Sequence, residues 1–347
     1  MPEYAILVYP SANRVYTDTA PRLLRAELRV FADAVLSTPV GEIGQERMGG
    51  VDYVTFATER PLSAADVGFL SDLSARYALF ERTGELLRPL PVDPLDRFDS
   101  DLLTIPKYSG KTNELFTKLL LNVTLMATDR PAAMRERALH VLDPLCGRGT
   151  TLHQAMMYGY SATGLDVDGR DFEAHEQFLK TWLRTKRIKH RAESGQVRRN
   201  KVRLGRRLEV EFGLTKEAYK AGDTRRLTHL QCDTLTTDEL VRPGSVDVVV
   251  ADAPYGIQHG SHRAQTPGVT RNPRELLAAA VPVWTRVLRR GGAMGISWNT
   301  HVVDRAELVA ILERAGLEVR TGGPFEEFVH RVDQAIVRDL VVASKPR

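Results

Sequence analysis

The chain has 347 residues, 43% hydrophobic and 27% charged, enough to bury a sizeable core and, by length, to form two domains. No basic segment followed by an apolar one opens it, and no apolar run approaches the ~20 residues of a membrane span, so the expectation is a cytoplasmic protein. The net charge of +4 and pI near 9.0 favour a polyanionic partner only mildly, while Cys146 and Cys232 match no metal-ligand spacing and argue against structural zinc or a disulfide framework.

In chain order, residues 4–9 (Y-A-I-L-V-Y) read as a strand closed by Pro10. Thr19 and Pro21 mark a helix start, with Leu23, Leu24, Leu28 and Phe31 at helical spacing through about residue 35. Gly49 and Gly50 mark a turn, 51–56 a β-branched and aromatic strand, and 63–80 a second helix rich in Ala and Leu. Residues 1–90 therefore predict a small α+β domain. Pro89, Pro91, Pro94 and Pro106 punctuate the next stretch and place a linker at 91–106, with a second domain at 107–347.

The second domain opens on K-Y-S-G-K-T-N (107–113), followed by a helix at 114–126 with Leu115, Leu119, Val123 and Met126 on one face. A strand at 141–142 then runs into D-P-L-C-G-R-G-T-T (143–151), which enters a helix at Thr150. Gly147 and Gly149 stand where the backbone must turn tightly and admit a ligand, because a residue without Cβ costs little there. A nucleotide-like guest suits such a loop. S-A-T-G-L-D-V-D (161–168) reads as a second strand ending in an acid, and Asp166 lies seventeen residues beyond Gly149, where a doubly wound fold holds ribose hydroxyls. The third glycine of the dinucleotide fingerprint is missing, which disfavours NAD.

A helix at 171–183 leads into the basic stretch 180–207, where twelve Lys or Arg face one acid, Glu193; that local +11 leaves −7 for the rest of the chain. Two readings stand side by side: a solvated insertion, or a phosphate-gripping surface carrying Arg198, Arg199, Arg206 and Arg207. Residues 227–232 make a third strand with Asp233 at its end. V-D-V-V-V-A-D-A-P-Y-G (246–256) is a buried strand that delivers Asp252, Ala253, Pro254 and Tyr255 to its carboxyl end, where open α/β sheets bind ligands. The polar loop that follows, to 273, with His259, His262 and Arg263, is long enough to read as functional. A helix at 275–290, Gly291-Gly292, a fifth strand at 293–298, a helix at 305–315 and two strand-like runs within 325–343 complete the chain.

The D-A-P-Y tetrapeptide resembles the D/N/S-P-P-Y/F/W motif of class I S-adenosylmethionine (SAM) methyltransferases that modify exocyclic amino groups, with Ala253 as the departure. D-P-L-C-G-R-G and D-A-P-Y-G together are similar to the D-P-F-C-G-T-G and D-P-P-Y-G pair of the RNA methylase family that includes tRNA guanine N2-methyltransferases. The resemblance implies a Rossmann-like, doubly wound α/β sheet with an antiparallel C-terminal hairpin, preceded by the small α+β domain as an RNA-recognition module. It implies SAM as cofactor, held by Lys107, Asp143, Cys146, Gly147, Gly149, Thr150, Asp166 and Asp233, the last of which is otherwise a helix cap. RNA, with tRNA first, is the implied partner. Asp252 and the Ala253 carbonyl would accept the hydrogens of a base amine, while Tyr255 stacks on the base. Two alternatives remain: a DNA adenine N6 or cytosine N4 methyltransferase, and a non-catalytic nucleic-acid-binding protein on the same scaffold. Family members often carry a ferredoxin-like plus a THUMP module, and about 90 residues are too few for both.

Overall fold

The computed structural model describes residues 1–11, 13–108, 110–199, 202–255 and 272–347. The N-terminal part contains β1 (Glu3–Val8), α1 (Arg14–Ala34), β2 (Val40–Met48), β3 (Val51–Thr58), α2 (Ala64–Ser71), β4 (Arg76–Thr83) and β5 (Leu86–Pro89). Its strands form one antiparallel sheet in the order β2-β3-β1-β4-β5. The βαββαβ run that produces this order is ferredoxin-like. The predicted stripe of Leu23, Leu24, Leu28 and Phe31 is fully buried against Ile6, Val54 and Phe56 of the sheet. The helix starts earlier than expected because Asn13 caps it, accepting the Tyr16 backbone N–H at 3.1 Å, and Pro21 lies inside it.

Residues 63–80 are not one helix. α2 opens on a Ser63/Asp66 capping box and stops at Ser71, and 76–83 pairs with β1 in registers such as Ala5↔Phe80. Strand pairing outweighs the Ala and Leu content that suggested a helix. The 91–106 segment is packed rather than a free tether: Leu95 and Leu102 are buried, and the Leu95 N–H donates to Asp72 Oδ1 at 2.7 Å. It includes α3 (Asp101–Thr104), and α4 (Glu114–Met126) and α5 (Ala133–Glu136) follow. α4 joins the two halves. Its Asn122 donates to the buried Glu27 of α1 at 2.7 Å, and one continuous core runs from Leu24 and Phe31 through Phe116 and Leu120 to Val141 and Phe328.

The second sheet is built from β6 (His140–Asp143), α6 (Thr150–Met157), β7 (Ser161–Asp166), α7 (Gly169–Thr185), β8 (His190–Arg199), β9 (Val202–Phe212), α8 (Lys216–Lys220), β10 (Arg225–Gln231), α9 (Thr237–Leu240) and β11 (Val246–Asp252). After residue 271 come α10 (Pro273–Val287), β12 (Leu288–Asn299), α11 (Arg305–Arg314), β13 (Glu318–Val319), β14 (His330–Arg331) and β15 (Val337–Ser344). The strand order is β13-β15-β12-β11-β6-β7-β10-β9-β8, with β14 paired to β15. The five strands β10, β7, β6, β11 and β12 are parallel, as the Rossmann-like expectation requires. The C-terminal antiparallel element differs in detail from the expected hairpin. β15 inserts between β12 and the two-residue β13, and the hairpin partner β14 is itself only two residues long. Most of the basic stretch is the β8–β9 hairpin, ordered at the sheet edge against β10, rather than a loose insertion. No helix among the described residues is long and apolar enough to cross a membrane.

Candidate active site

The strand order reverses between β6 and β11, so the two chain directions around the sheet part there and leave a crevice at the carboxyl ends. β6 ends at Asp143, β7 at Asp166, β11 at Asp252 and β12 at Asn299. These parallel strands bring three carboxylates to one edge.

The loop between β6 and α6 is held by its own backbone. Gly147 and Gly149 take left-handed φ values of 49° and 82°, and the Cys146 N–H donates to the Leu165 carbonyl at 2.9 Å. Asp166 closes the loop from the next strand, accepting the Gly147 N–H at 2.9 Å and the Asp168 N–H at 2.8 Å. Across the loop, the Tyr108 hydroxyl lies 3.2 Å from that of Thr150, and the Arg148 guanidinium covers the Tyr108 ring at 4.6 Å. Asp143 is buried beside this loop, and burial pushes its carboxyl up to about 7; the Leu145 N–H and Thr151 hydroxyl oppose the shift, and the charges of Asp252 and Asp166 add to it. Asp166 is also raised, first by burial. Such a cluster of carboxyls favours a cationic guest.

Below the loop lies a chain of three buried histidines. His175 Nδ1 is 2.7 Å from His229 Nδ1, and His175 Nε2 is 3.1 Å from His153 Nε2. Burial holds all three below their ordinary value, His175 at about 4, so the chain is neutral packing that supports Gly149 from beneath.

At the other end of the crevice, Asp252 is the hub. Its Oδ1 accepts the Tyr255 hydroxyl at 2.6 Å and the Ser297 hydroxyl, and its Oδ2 accepts the Thr112 hydroxyl. Arg338 Nη2 lies 3.9 Å from Oδ2 and donates to the Tyr255 hydroxyl. Asn299 donates from Nδ2 to the Tyr255 carbonyl at 3.3 Å, and the Ala253 N–H donates to the Ser297 carbonyl at 2.8 Å. A carboxylate offers about four acceptor positions. Three hydroxyls take three of them, and the Asp252 side chain keeps 20% of its surface exposed.

The expected site residues divide accordingly. Asp143, Gly147, Gly149, Thr150 and Asp166 gather at the loop, and Asp252, Ala253 and Tyr255 at the hub. Cys146 is buried with its thiol pushed up and packs against Gly164, while Pro254 and Lys107 are exposed. Asp233 caps the turn after β10, accepting the Leu235 N–H at 2.9 Å. Among the basic residues, Arg198 and Arg207 are exposed. Arg206 is already engaged: it donates to Gln231 at 2.6 Å, Glu173 at 2.7 Å and the Gly169 carbonyl at 3.0 Å, and covers the Phe172 ring. The loop 256–271, with Gly256, His259, His262 and Arg263, lies outside the described residues, as does the Arg199 side chain. Thr112, Ser297, Asn299 and Arg338 were not anticipated. Ser297 and Asn299 had a usable signal, since both sit at the carboxyl end of a parallel strand; Arg338 showed only as one of two adjacent charges, with Asp339, inside an apolar run. No cluster of His, Cys, Asp and Glu among the described residues could hold a metal ion.

Residues 132–292 match the family described as RMKL-like, methyltransferase domain. No curated protein matches the chain. Solved structures similar to it include a TehB-like SAM-dependent methyltransferase from Corynebacterium glutamicum, at 14% identity and TM-score 0.35 over 61% of this chain and 83% of that one. The magnesium protoporphyrin IX methyltransferase of Synechocystis, with bound SAM, is similar at 13% identity and TM-score 0.39, over 69% of this chain and 86% of its own. A T. thermophilus 16S rRNA N2 methyltransferase in complex with AdoMet and guanosine is similar at 12% identity and TM-score 0.31, over 62% of this chain and 38% of its own.

Proposed function

We propose that the chain, whose residues 132–292 match the RMKL-like methyltransferase domain family, is a SAM-dependent N-methyltransferase acting on an exocyclic base amine in RNA, with guanine N2 of tRNA as the first substrate. The observation that carries this reading is Asp252: a carboxylate at the switch point with three acceptor positions filled by hydroxyls and its side chain still 20% exposed.

The residues present fit SAM. Gly147 leaves open the room that a Cβ would take, Asp166 keeps lone pairs beside its two backbone partners, and the Asp143/Asp166/Asp252 cluster, whose mutual repulsion helps raise the Asp143 carboxyl, suits a ligand bearing a sulfonium and an ammonium. Bound there, SAM supplies a methyl group on a positively charged sulfur. Asp166 would hold the ribose hydroxyls, and the loop from Asp143 to Thr150 the amino-acid end.

The chain's own residues then act on the base. An aromatic amine is a poor nucleophile because its lone pair is delocalised into the ring. An N–H hydrogen bond to the open position of Asp252, with the Ala253 carbonyl as second acceptor, favours the pyramidal nitrogen that can attack. Once the nitrogen carries its new methyl and a positive charge, its proton passes to Asp252 or to water. Thr112 and Ser297 fix the carboxylate for this task, so acceleration comes from orientation and preorganised electrostatics rather than from a strong base. Tyr255, whose hydroxyl is held by Asp252, would present its ring to the base.

The test is mass spectrometry of nucleosides from a strain lacking the gene. One N2-methylated guanosine should disappear from tRNA and return with the wild-type gene but not with Asp252→Ala. Intact RNA modification together with loss of N6-methyladenine or N4-methylcytosine from DNA would overturn the RNA assignment.

A further inference from the structure

Arg338 is buried to 4% side-chain exposure on β15, directly across from Asn299 of β12. A guanidinium so far from water is costly unless its partners are in place, and a buried ion pair is seldom a net gain in stability. Here the partners are those of the catalytic hub. The guanidinium is stacked between the Phe116 ring at 4.3 Å and the Tyr255 ring at 5.0 Å, Nη2 donates to the Tyr255 hydroxyl, and the same nitrogen is 3.9 Å from Asp252 Oδ2. The Tyr255 hydroxyl in turn donates to Asp252 Oδ1, so the three side chains close a ring.

The rest of the surroundings favours a task over stability. Arg338 Nε is buried with no hydrogen-bond partner among the described residues, and the same is true of Tyr16 Oη and His330 Nε2 nearby. His330 Nδ1 donates to the Phe328 carbonyl at 2.9 Å, which leaves the buried Nε2 as an acceptor without a donor among the described residues. Unpaired buried donors and acceptors are expensive. A hydrophobic side chain at 338 would remove the unpaired buried Nε, but it would also leave Asp252 and Tyr255 without their anchor.

We propose that Arg338 is a positioning residue: from the last strand it locks the Tyr255 ring and, through the phenol, aims the free oxygen position of Asp252 into the crevice. The role assigned to Asp252 rests on the methyltransferase reading above. Arg338, 4% exposed and bonded to the Tyr255 hydroxyl, would act on the base only through these side chains, so its removal should lower turnover while sparing SAM affinity.

The experiment uses the full chain with Arg338→Met, similar in volume and neutral, and Arg338→Lys, which keeps the charge but cannot both stack and donate in two directions. The Met variant should bind SAM within about threefold of wild type by calorimetry while kcat on tRNA falls ~100-fold with little change in KM, the scale of losing a preorganised contact. The Lys variant should recover part of this, remaining about tenfold below wild type. Amide exchange of 246–255 should speed up about tenfold in the Met variant and less in Lys. A Met variant with wild-type kcat overturns the proposal; should Met fail to fold, a Lys variant with wild-type kcat does the same. If the wild-type protein methylates no RNA, the functional reading fails separately, and amide exchange still decides on Arg338: unchanged exchange in the variants refutes its positioning role.

Discussion

The two glycines of the loop should respond to the same substitution very differently. At Gly147, with φ 49°, an added Cβ would meet nothing closer than Asp171 Oδ2 at 4.0 Å. The alanine there costs the left-handed backbone alone, about 1–2 kcal/mol. At Gly149, with φ 82°, the same Cβ would sit 2.8 Å from His175 Nε2 and 3.0 Å from its Cδ2. His175 cannot step aside, because His229 holds one ring nitrogen and His153 the other inside the core. Forcing extra volume into such packing adds about 1–3 kcal/mol. Either alanine also stiffens the unfolded chain, returning about 0.4–1 kcal/mol at both positions, which cancels in the comparison. Gly149→Ala should therefore be less stable than Gly147→Ala by about 1–3 kcal/mol. Urea denaturation followed by fluorescence of the three tryptophans measures it directly. Equal stabilities, or a more damaging Gly147→Ala, would refute the claim that the histidine chain is a rigid floor for the loop.

Three further expectations follow from the same geometry. Asp166→Ala should weaken SAM binding by about 1.5–3 kcal/mol, the range of charged hydrogen bonds, and calorimetry checks it. Glu27 is raised to about 7, first by burial, against ~4.3 when unfolded, so between those values the folded state binds more protons and stability falls as pH rises. Glu27→Gln should flatten that fall by up to about 1.4 kcal/mol per pH unit in denaturation series, leaving the share of Asp143, which has the same sign. Replacing exposed Arg198 and Arg207 with Gln should flatten the salt dependence of RNA binding by roughly one log unit of slope each and leave SAM affinity unchanged, whereas Arg206→Ala should act on stability through its ties to Gln231 and Glu173.

What the sequence made legible was local. The glycine loop, the acid after the second strand and the D-A-P-Y turn each carry their meaning within a few residues, and the parallel strands meet at the switch point as their spacing implied. What escaped was made by distant partners. Strand β4 looks helical until β1 supplies the pairing, and β2 buries only Ile43, so no alternation marks it. The hub around Asp252 draws Thr112 from 140 residues upstream and Ser297 from 45 downstream, and hydroxyls carry no signal of that kind alone. The hairpin in the basic run had a usable signal, since Leu204, Leu208, Val210 and Phe212 alternate along β9 and the last three are buried, but the interleaved charges masked it and the pairing with β10 is long-range.

The joining of the chain's two ends has a consequence for biosynthesis. Arg22 of α1 donates to the Glu327 carbonyl at 2.8 Å across 305 residues of sequence, and the Tyr16 ring packs on His330 at 6.3 Å. At translation rates of ~5–20 residues per second, that part of α1 waits on the order of 15–60 s on the ribosome before its partner strand exists. Through that interval Tyr16 and the neighbouring apolar surface that the finished protein buries stand open to solvent, so the nascent N-terminal segment is the part of this chain on which a holdase chaperone would act, and slow translation or a chaperone-poor host would show first as aggregation of unfinished chains.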